Sequence, residues 1–256
     1  MATYKKRGAK KSVAKTNTPA EEIKSTTAEV FESLDQTASR SEAFVSQYQN
    51  YILIAVSVVV VGALSYLAYD NFIAQPKAAE AVNELNQAQY YFELAVNNST
   101  ESDSLFRLAL EGGEGKYGFL DIIDNYSGTP AAKLATYSAG MAYLNLKEFE
   151  NAISFLDNFS SDDVMLSALS QGAIGDAFAQ LEQPEEAFEY YIKAANASTN
   201  AFSTPKYLFK AGLIGAQIGK EDQALSFYKR IKEEFPQAPE AARVEVQIGK
   251  LEHSSN

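Results

Sequence analysis

Cysteine and histidine, two side chains that many enzymes use for catalysis, are almost missing from this chain. It contains no cysteine and a single histidine, His253, close to the C-terminus. The lack of cysteine excludes disulfides, thiol nucleophiles and cysteine-ligated metals. A Ser-His-Asp triad would depend on a histidine in a terminal segment, where chains fray. The sequence therefore predicts a protein that is not an enzyme and that holds no metal or organic cofactor.

Two pairs of acidic residues and one glycine-rich turn are the remaining candidates for chemistry. Asp162-Asp163 and Glu185-Glu186 stand where helices are predicted to begin. Carboxylates at that position stabilise the positive end of the helix dipole, so we interpret both pairs as helix-start residues. The turn at residues 112–115 is followed by Lys116-Tyr117 and not by the Lys-Ser/Thr of a phosphate-binding loop. It is predicted to be a turn only.

Amide side chains recur at one position, and they are the polar groups best suited to binding. Each stands five residues after a glycine, and the glycines fall 35 and 37 residues apart. Amides both donate and accept hydrogen bonds, so they can bind a peptide backbone of any sequence. The three glycines are Gly140, Gly175 and Gly212, and the three amides are Asn145, Gln180 and Gln217.

The same glycines mark a longer repeat. Twelve residues after each glycine stands an alanine, and four residues later a large side chain follows. Small residues let two antiparallel helices approach, and large ones fill the seam between them. The alanines are Ala152, Ala187 and Ala224, and the large residues are Leu156, Tyr191 and Tyr228. A period near 34 with this pattern is typical of tetratricopeptide repeats, which stack into an α-solenoid. The predicted repeats cover about residues 133–166, 168–201 and 205–238.

The inner helices of such repeats line a concave groove. Carried over by position, that rule predicts a partner-binding groove with eight residues: Tyr137, Met141, Asn145, Asp176, Gln180, Phe209, Leu213 and Gln217. Its four apolar members are expected to be partly exposed, and exposed apolar patches usually mark a protein partner. The groove lacks the Lys/Arg–Asn set by which some repeat proteins clamp C-terminal carboxylates.

One segment is long and apolar enough to cross a lipid bilayer. Residues 52–69, ILIAVSVVVVGALSYLAY, carry no charge. As a helix they span roughly 27 Å, close to the ~30 Å hydrocarbon core. Tyr51 and Phe72 flank the run, and such rings suit the two headgroup layers. We predict a transmembrane helix over residues 51–70 in contact with membrane lipid. A buried core helix is the alternative.

Charge predicts the orientation of that helix. The first fifteen residues carry six basic side chains and no acid, which favours a cytoplasmic N-terminus. Residues 1–50 carry eight Lys/Arg against six Asp/Glu, a net charge of +2, whereas the rest of the chain carries –13. An acidic outer domain argues against a nucleic-acid partner.

These observations predict four parts and an all-α fold. They are a disordered basic tip (1–18), a cytoplasmic amphipathic helix (19–50), a single transmembrane helix (51–70) and a tetratricopeptide-repeat α-solenoid (76–256).

This arrangement resembles the YfgM-like ancillary subunits of the bacterial SecYEG translocon. The stretch that carries the resemblance runs from Gly118-Phe119-Leu120-Asp121-Ile122-Ile123 through Thr129-Pro130-Ala131-Ala132 to Tyr137-Ser138-Ala139-Gly140-Met141-Ala142-Tyr143. The resemblance implies a bacterial inner-membrane protein whose C-terminal domain is periplasmic. It further implies translocon subunits and a membrane-anchored chaperone of the peptidyl-prolyl isomerase type as partners.

The expected function is that of a membrane-anchored scaffold for protein–protein interaction, acting as an accessory subunit of the Sec translocon. The alternative is a scaffold subunit of another envelope complex, such as one for cell division or cell-wall assembly.

Overall fold

The computed structural model describes residues 26–98, 100–113 and 115–254, and over these residues the chain is helical without a strand. The helices are α1 (Thr26–Tyr69), a short π-helical segment (Asp70–Ala74), α2 (Gln75–Asn97), α3 (Ser102–Glu111), α4 (Phe119–Asn125), α5 (Pro130–Asn145), α6 (Phe149–Asp157), α7 (Val164–Gln180), α8 (Pro184–Ala197), α9 (Ser203–Gln217), α10 (Glu221–Glu234) and α11 (Ala241–Ser254). The predicted all-α fold is confirmed.

The chain divides into two compact units, residues 1–66 and residues 67–256. In the first, α1 runs without a break through most of the predicted amphipathic segment and into the apolar run, which contains no proline and only Gly62. The large apolar side chains described in this helix are exposed. The helical stretch Glu42–Asn97 contains a window apolar enough to cross a membrane, and none of that window is buried, which excludes a core helix. The predicted basic tip and the start of the amphipathic segment lie outside the described residues.

The second unit is a series of antiparallel helix pairs around a core rich in alanine and aromatic residues. One buried cluster joins α2, α3, α4 and α5, a small one joins α5, α6 and α7, and a third joins α8, α9, α10 and α11. Each inner helix also contacts the inner helix of the next pair, α5 with α7 and α7 with α9. The pairs α5–α6, α7–α8 and α9–α10 overlap the ranges of the three predicted repeats.

The repeat glycines lie where the two helices of a pair touch. A Cβ added at Gly175 would stand 2.7 Å from Cδ1 of Tyr191, and Gly140 and Gly212 are as tightly covered by Leu156 and Tyr228. In each pair the covering residue lies sixteen positions after the glycine. The three repeat alanines are fully buried in the same seams. The three glycines therefore occupy equivalent seams in the three helix pairs.

The turns between inner and outer helices are also alike. The residue seven positions after each glycine has a left-handed backbone: Lys147 (φ 62°), Glu182 (φ 58°) and Gly219 (φ 76°). The amide of the following residue then donates to a carbonyl five residues back, over 2.8–3.0 Å in the three turns. This bond satisfies a carbonyl at the end of the inner helix.

Candidate functional site

An open groove of about 590 Å³ lies between the C-terminal ends of α5 and α7. Three of the eight predicted groove residues line it, namely Asn145, Asp176 and Gln180. The remaining lining comes from residues that the sequence analysis did not single out for binding: Leu144, Lys147, Phe149, Ala179, Tyr191 and Lys210. The groove is thus built from both helices of the first two repeats and one side chain of the third.

Asp176 is the centre of the polar wall of this groove. Its carboxylate accepts a hydrogen bond from the Tyr191 hydroxyl over 2.7 Å and forms an ion pair with the Lys210 ammonium. Lys210 also lies 5.4 Å from the centroid of the Tyr191 ring. The three side chains come from α7, α8 and α9, so this cluster ties the second repeat to the third. Because the carboxylate is paired, it brings little net charge to the groove.

Burial raises the pKa of Tyr191 in this wall and of its neighbour Tyr207. It is the largest cause that raises the pKa of Tyr191, and the charge and hydrogen bond of Asp176 raise it further. The pKa of Tyr207, whose ring stacks on Tyr191 with centroids 6.4 Å apart, is raised by burial and then by Asp176. Both hydroxyls therefore stay protonated at neutral pH, and Tyr191 remains a hydrogen-bond donor.

The three recurring amides do not share one environment. Asn145 donates from Nδ2 to the Met141 carbonyl over 2.8 Å, one turn back in its own helix. Gln180 and Gln217 are exposed, and neither side chain has a hydrogen-bond partner within the described part of the chain. Gln217 does not line the groove. The site therefore contains Gln180, whose amide has no partner in the described part of the chain, and Asn145, whose Nδ2 already donates one hydrogen bond.

The apolar residues predicted for the groove also lie in different environments. Tyr137 and Met141 are half-buried and pack on the small cluster around Leu156. Leu213 is 38% exposed. These three are partly exposed as predicted, but none of them lines the groove described above.

The expectation that Phe209 is partly exposed is wrong. Its side chain is 3% exposed, its ring lies 5.9 Å from that of Tyr228, and the Arg243 guanidinium carbon stands 4.3 Å from its centroid. Arg243 belongs to α11, which packs against α9 and α10. The last helix covers this position, so Phe209 belongs to the core.

Two signals in the sequence pointed to Lys210, which the predicted groove did not include. Asp176 and Lys210 carry opposite charges one repeat period apart, which would place them on adjacent inner helices. Lys210 also occupies a position that is Ser138 and Ala173 in the other repeats. A long cation at an otherwise small position indicates a contact between repeats. Gly172 was missed as well, since it takes the place of Tyr137 and Phe209 and packs against the Tyr207 ring.

The paired helices agree with the protein family that two segments of the chain match. Residues 135–158 and 168–200 match the family model of the tetratricopeptide repeat. These two segments are tetratricopeptide repeats. They coincide with the α5–α6 and α7–α8 pairs, and α9–α10 repeats their glycine seam and left-handed turn without being part of the match. No curated protein matches the chain.

Tetratricopeptide repeats support a role in protein–protein interaction. No group of three or more His, Asp or Glu side chains in the described residues is arranged to hold a metal ion.

Proposed function

We propose that this protein is a membrane-anchored scaffold that holds a segment of a partner protein in the groove between α5 and α7. The observation that carries the proposal is the composition of that groove. Gln180 offers an uncommitted amide beside the apolar side chains of Leu144, Phe149 and Ala179. An amide next to apolar surface suits an extended peptide, whose backbone needs hydrogen bonds while its side chains need apolar contacts.

The anchor and the groove would work together. Residues 52–69 would cross the bilayer and hold the repeats close to it, which raises the effective concentration of the groove for membrane-bound partners. The paired Asp176 and Lys210 leave Lys147 as the one lining charge with no ion pair among the described residues. The groove would thus tolerate neutral segments and favour mildly acidic ones.

We further propose that the protein is an accessory subunit of the Sec translocon in the bacterial inner membrane, with a cytoplasmic N-terminus and periplasmic repeats. It would work with a membrane-anchored peptidyl-prolyl isomerase-type chaperone on secreted proteins. The support is the resemblance of residues 118–143 to translocon-associated repeat proteins, together with the apolar helix and the acidic charge of the repeats.

Purification of the tagged full chain in mild detergent tests both the role of the groove and the Sec assignment. We expect a translocon subunit or the chaperone to co-purify. The variant Asn145→Ala/Gln180→Ala should reduce the partner several-fold, because it removes both groove amides while leaving exposed positions that tolerate alanine. Gln217→Ala is the matched control, since it removes the equivalent amide outside the groove.

Two outcomes would contradict the proposal. Equal recovery of the partner with the double variant and with the Gln217→Ala control would show that the contact lies outside the groove. Recovery of division or cell-wall proteins in place of translocon subunits would replace the Sec assignment by that of another envelope scaffold.

A further inference from the structure

A second pocket lies beside the end of the apolar run. It has a volume of about 430 Å³, and all of its lining belongs to the unit formed by residues 67–256. One side consists of Tyr69, Asp70 and Lys77, at the junction of α1 and α2. The other side is the turn between α4 and α5, residues 127–130. Because Tyr69 is the last residue of the apolar run, whatever lies beside it stands at the level where the run ends.

The turn between α4 and α5 is held firmly in this place. Tyr126 is buried, and this burial, followed by the charge of Glu80 in α2, raises the pKa of its hydroxyl. Thr129 is also buried, and both its hydroxyl (2.8 Å) and its amide (3.1 Å) donate to the Tyr126 carbonyl. Between these anchors Ser127 and Gly128 are exposed. The fold thus presents a small polar tip next to the end of the apolar run.

The five residues after the apolar run correspond in length to the headgroup layer of a bilayer. That layer is roughly 5–8 Å thick on each side, about the rise of five helical residues. Residues 70–74 therefore occupy it if residues 52–69 cross the hydrocarbon core. Phe72 and Ile73 are 76% and 54% exposed, which is costly in water and usual for side chains at a membrane interface.

The pocket is lined by one cation, Lys77, and one carboxylate, Asp70. The Asp70 carboxylate accepts a hydrogen bond from Gln75 Nε2 over 2.9 Å and is thereby turned toward its own helix. The Lys77 ammonium forms no ion pair with any residue that the structure describes. The exposed tip at residues 127–128 lines the same pocket. An ammonium beside the bilayer suits the phosphate of a lipid headgroup.

We propose that this pocket binds the phosphodiester of a membrane phospholipid, with Lys77 neutralising the phosphate and the 127–128 tip seated among the headgroups. The inference rests on the proposed membrane anchor. It gives the α4–α5 turn a role as a contact with the lipid surface.

The absence of cysteine permits a direct measurement of depth. The full chain is made with one cysteine, labelled with bimane and reconstituted in nanodiscs of phosphatidylcholine and phosphatidylglycerol. Spin-labelled lipids, modified either at the headgroup or in the acyl chain, act as quenchers. Ser127→Cys reports on the tip, Ser57→Cys on the apolar run, and Ser226→Cys on the exposed face of α10. We expect the tip to be quenched by headgroup label, the run by acyl-chain label, and α10 by neither.

The three positions separate the possible failures. An unquenched Ser57→Cys probe would overturn the membrane anchor. A quenched Ser57→Cys probe with a Ser127→Cys probe that behaves like Ser226→Cys would overturn this inference and leave the anchor intact.

A charge substitution tests the phosphate contact itself. Lys77→Gln, added to the Ser127→Cys chain, should remove most of the headgroup quenching. Lys229→Gln is the matched control, because it removes an exposed charge of α10. Quenching that persists in the Lys77→Gln chain would overturn the role of Lys77. An equal loss in both variants would show that only net charge matters, and would overturn the specific site.

Discussion

The second and third repeats carry a tyrosine at the same position of their outer helices, Tyr191 and Tyr228, and each ring packs on the glycine of its inner helix. Beside that glycine the second repeat has Asp176 and the third has Leu213. The Tyr191 hydroxyl donates to Asp176, whereas the Tyr228 hydroxyl is buried without a hydrogen-bond partner in the described structure. Burial raises the pKa of Tyr228 to about 12, so this hydroxyl also stays neutral.

This difference shows how one backbone plan yields one polar site. The two repeats share the glycine seam, the buried alanine and the left-handed turn. Only the second has an acid at the edge of the seam, and only there does a lysine of the next repeat, Lys210, reach it. The third repeat ends in an apolar seam instead, covered by α11. The groove between α5 and α7 is therefore the one lined by this polar cluster, although the fold is repeated.

Substitutions in the glycine seam that the two repeats share should change the free energy of unfolding the most. Gly175→Leu and Gly212→Leu should each destabilise the protein by at least about 1–3 kcal/mol, because a side chain at either glycine overlaps the tyrosine that covers it. Urea unfolding of the full chain in mild detergent, followed by circular dichroism, measures this. Gly249→Ala is the control, since nothing lies within 4 Å of its added Cβ. Stability close to wild type in either leucine variant would mean that the common seam is wrong.

Removing the tyrosine hydroxyl should change the free energy of unfolding in opposite directions in the two repeats. Tyr191→Phe removes a hydrogen bond to a carboxylate and should cost about 1 kcal/mol. Tyr228→Phe removes a hydroxyl that has no partner, and should be neutral or stabilise the protein by up to about 1 kcal/mol. The same unfolding measurement compares the two. Losses of equal size in both variants would contradict the contrast between the repeats.

The variant Leu213→Asp tests whether a carboxylate alone gives the third repeat the hydrogen bond of the second. It places a carboxylate where the second repeat has Asp176, at a position that is already partly exposed. In a double-mutant cycle, the aspartate should be better tolerated with Tyr228 present than with Tyr228→Phe, because only the hydroxyl can donate to it.

The smallest effect concerns the turns. The second repeat has Glu182 and the third has Gly219 at the left-handed position. A non-glycine residue pays roughly 1 kcal/mol in that conformation, so Glu182→Gly should stabilise the protein and Gly219→Ala should destabilise it by up to this amount. Glu185→Gly is the control, because it places glycine in the right-handed first turn of α8 and should destabilise. A stabilising Gly219→Ala variant would contradict the shared turn.

Contacts within a repeat could be predicted, because their sequence separation is fixed. The pairing of Gly140 with Leu156, and the same pairing in the other repeats, follows from two helices joined by a tight turn. The apolar helix could be predicted from length and composition alone. The amides illustrate the limit of this reasoning, since their recurring position did not reveal that Asn145 is bonded to its own helix and that Gln217 lies outside the groove.

The all-helical fold, the apolar helix and the repeated glycine seams can be read from the chain alone, because each depends on spacing within one helix or one helix pair. The position of the groove, the burial of Phe209 and the neighbours of Tyr69 cannot be read in this way. Those outcomes depend on how neighbouring repeats and the flanking helices pack on one another. The ion pair of Asp176 with Lys210, the cover of Arg243 over Phe209 and the α4–α5 turn beside α2 all join elements whose relative placement no local spacing fixes.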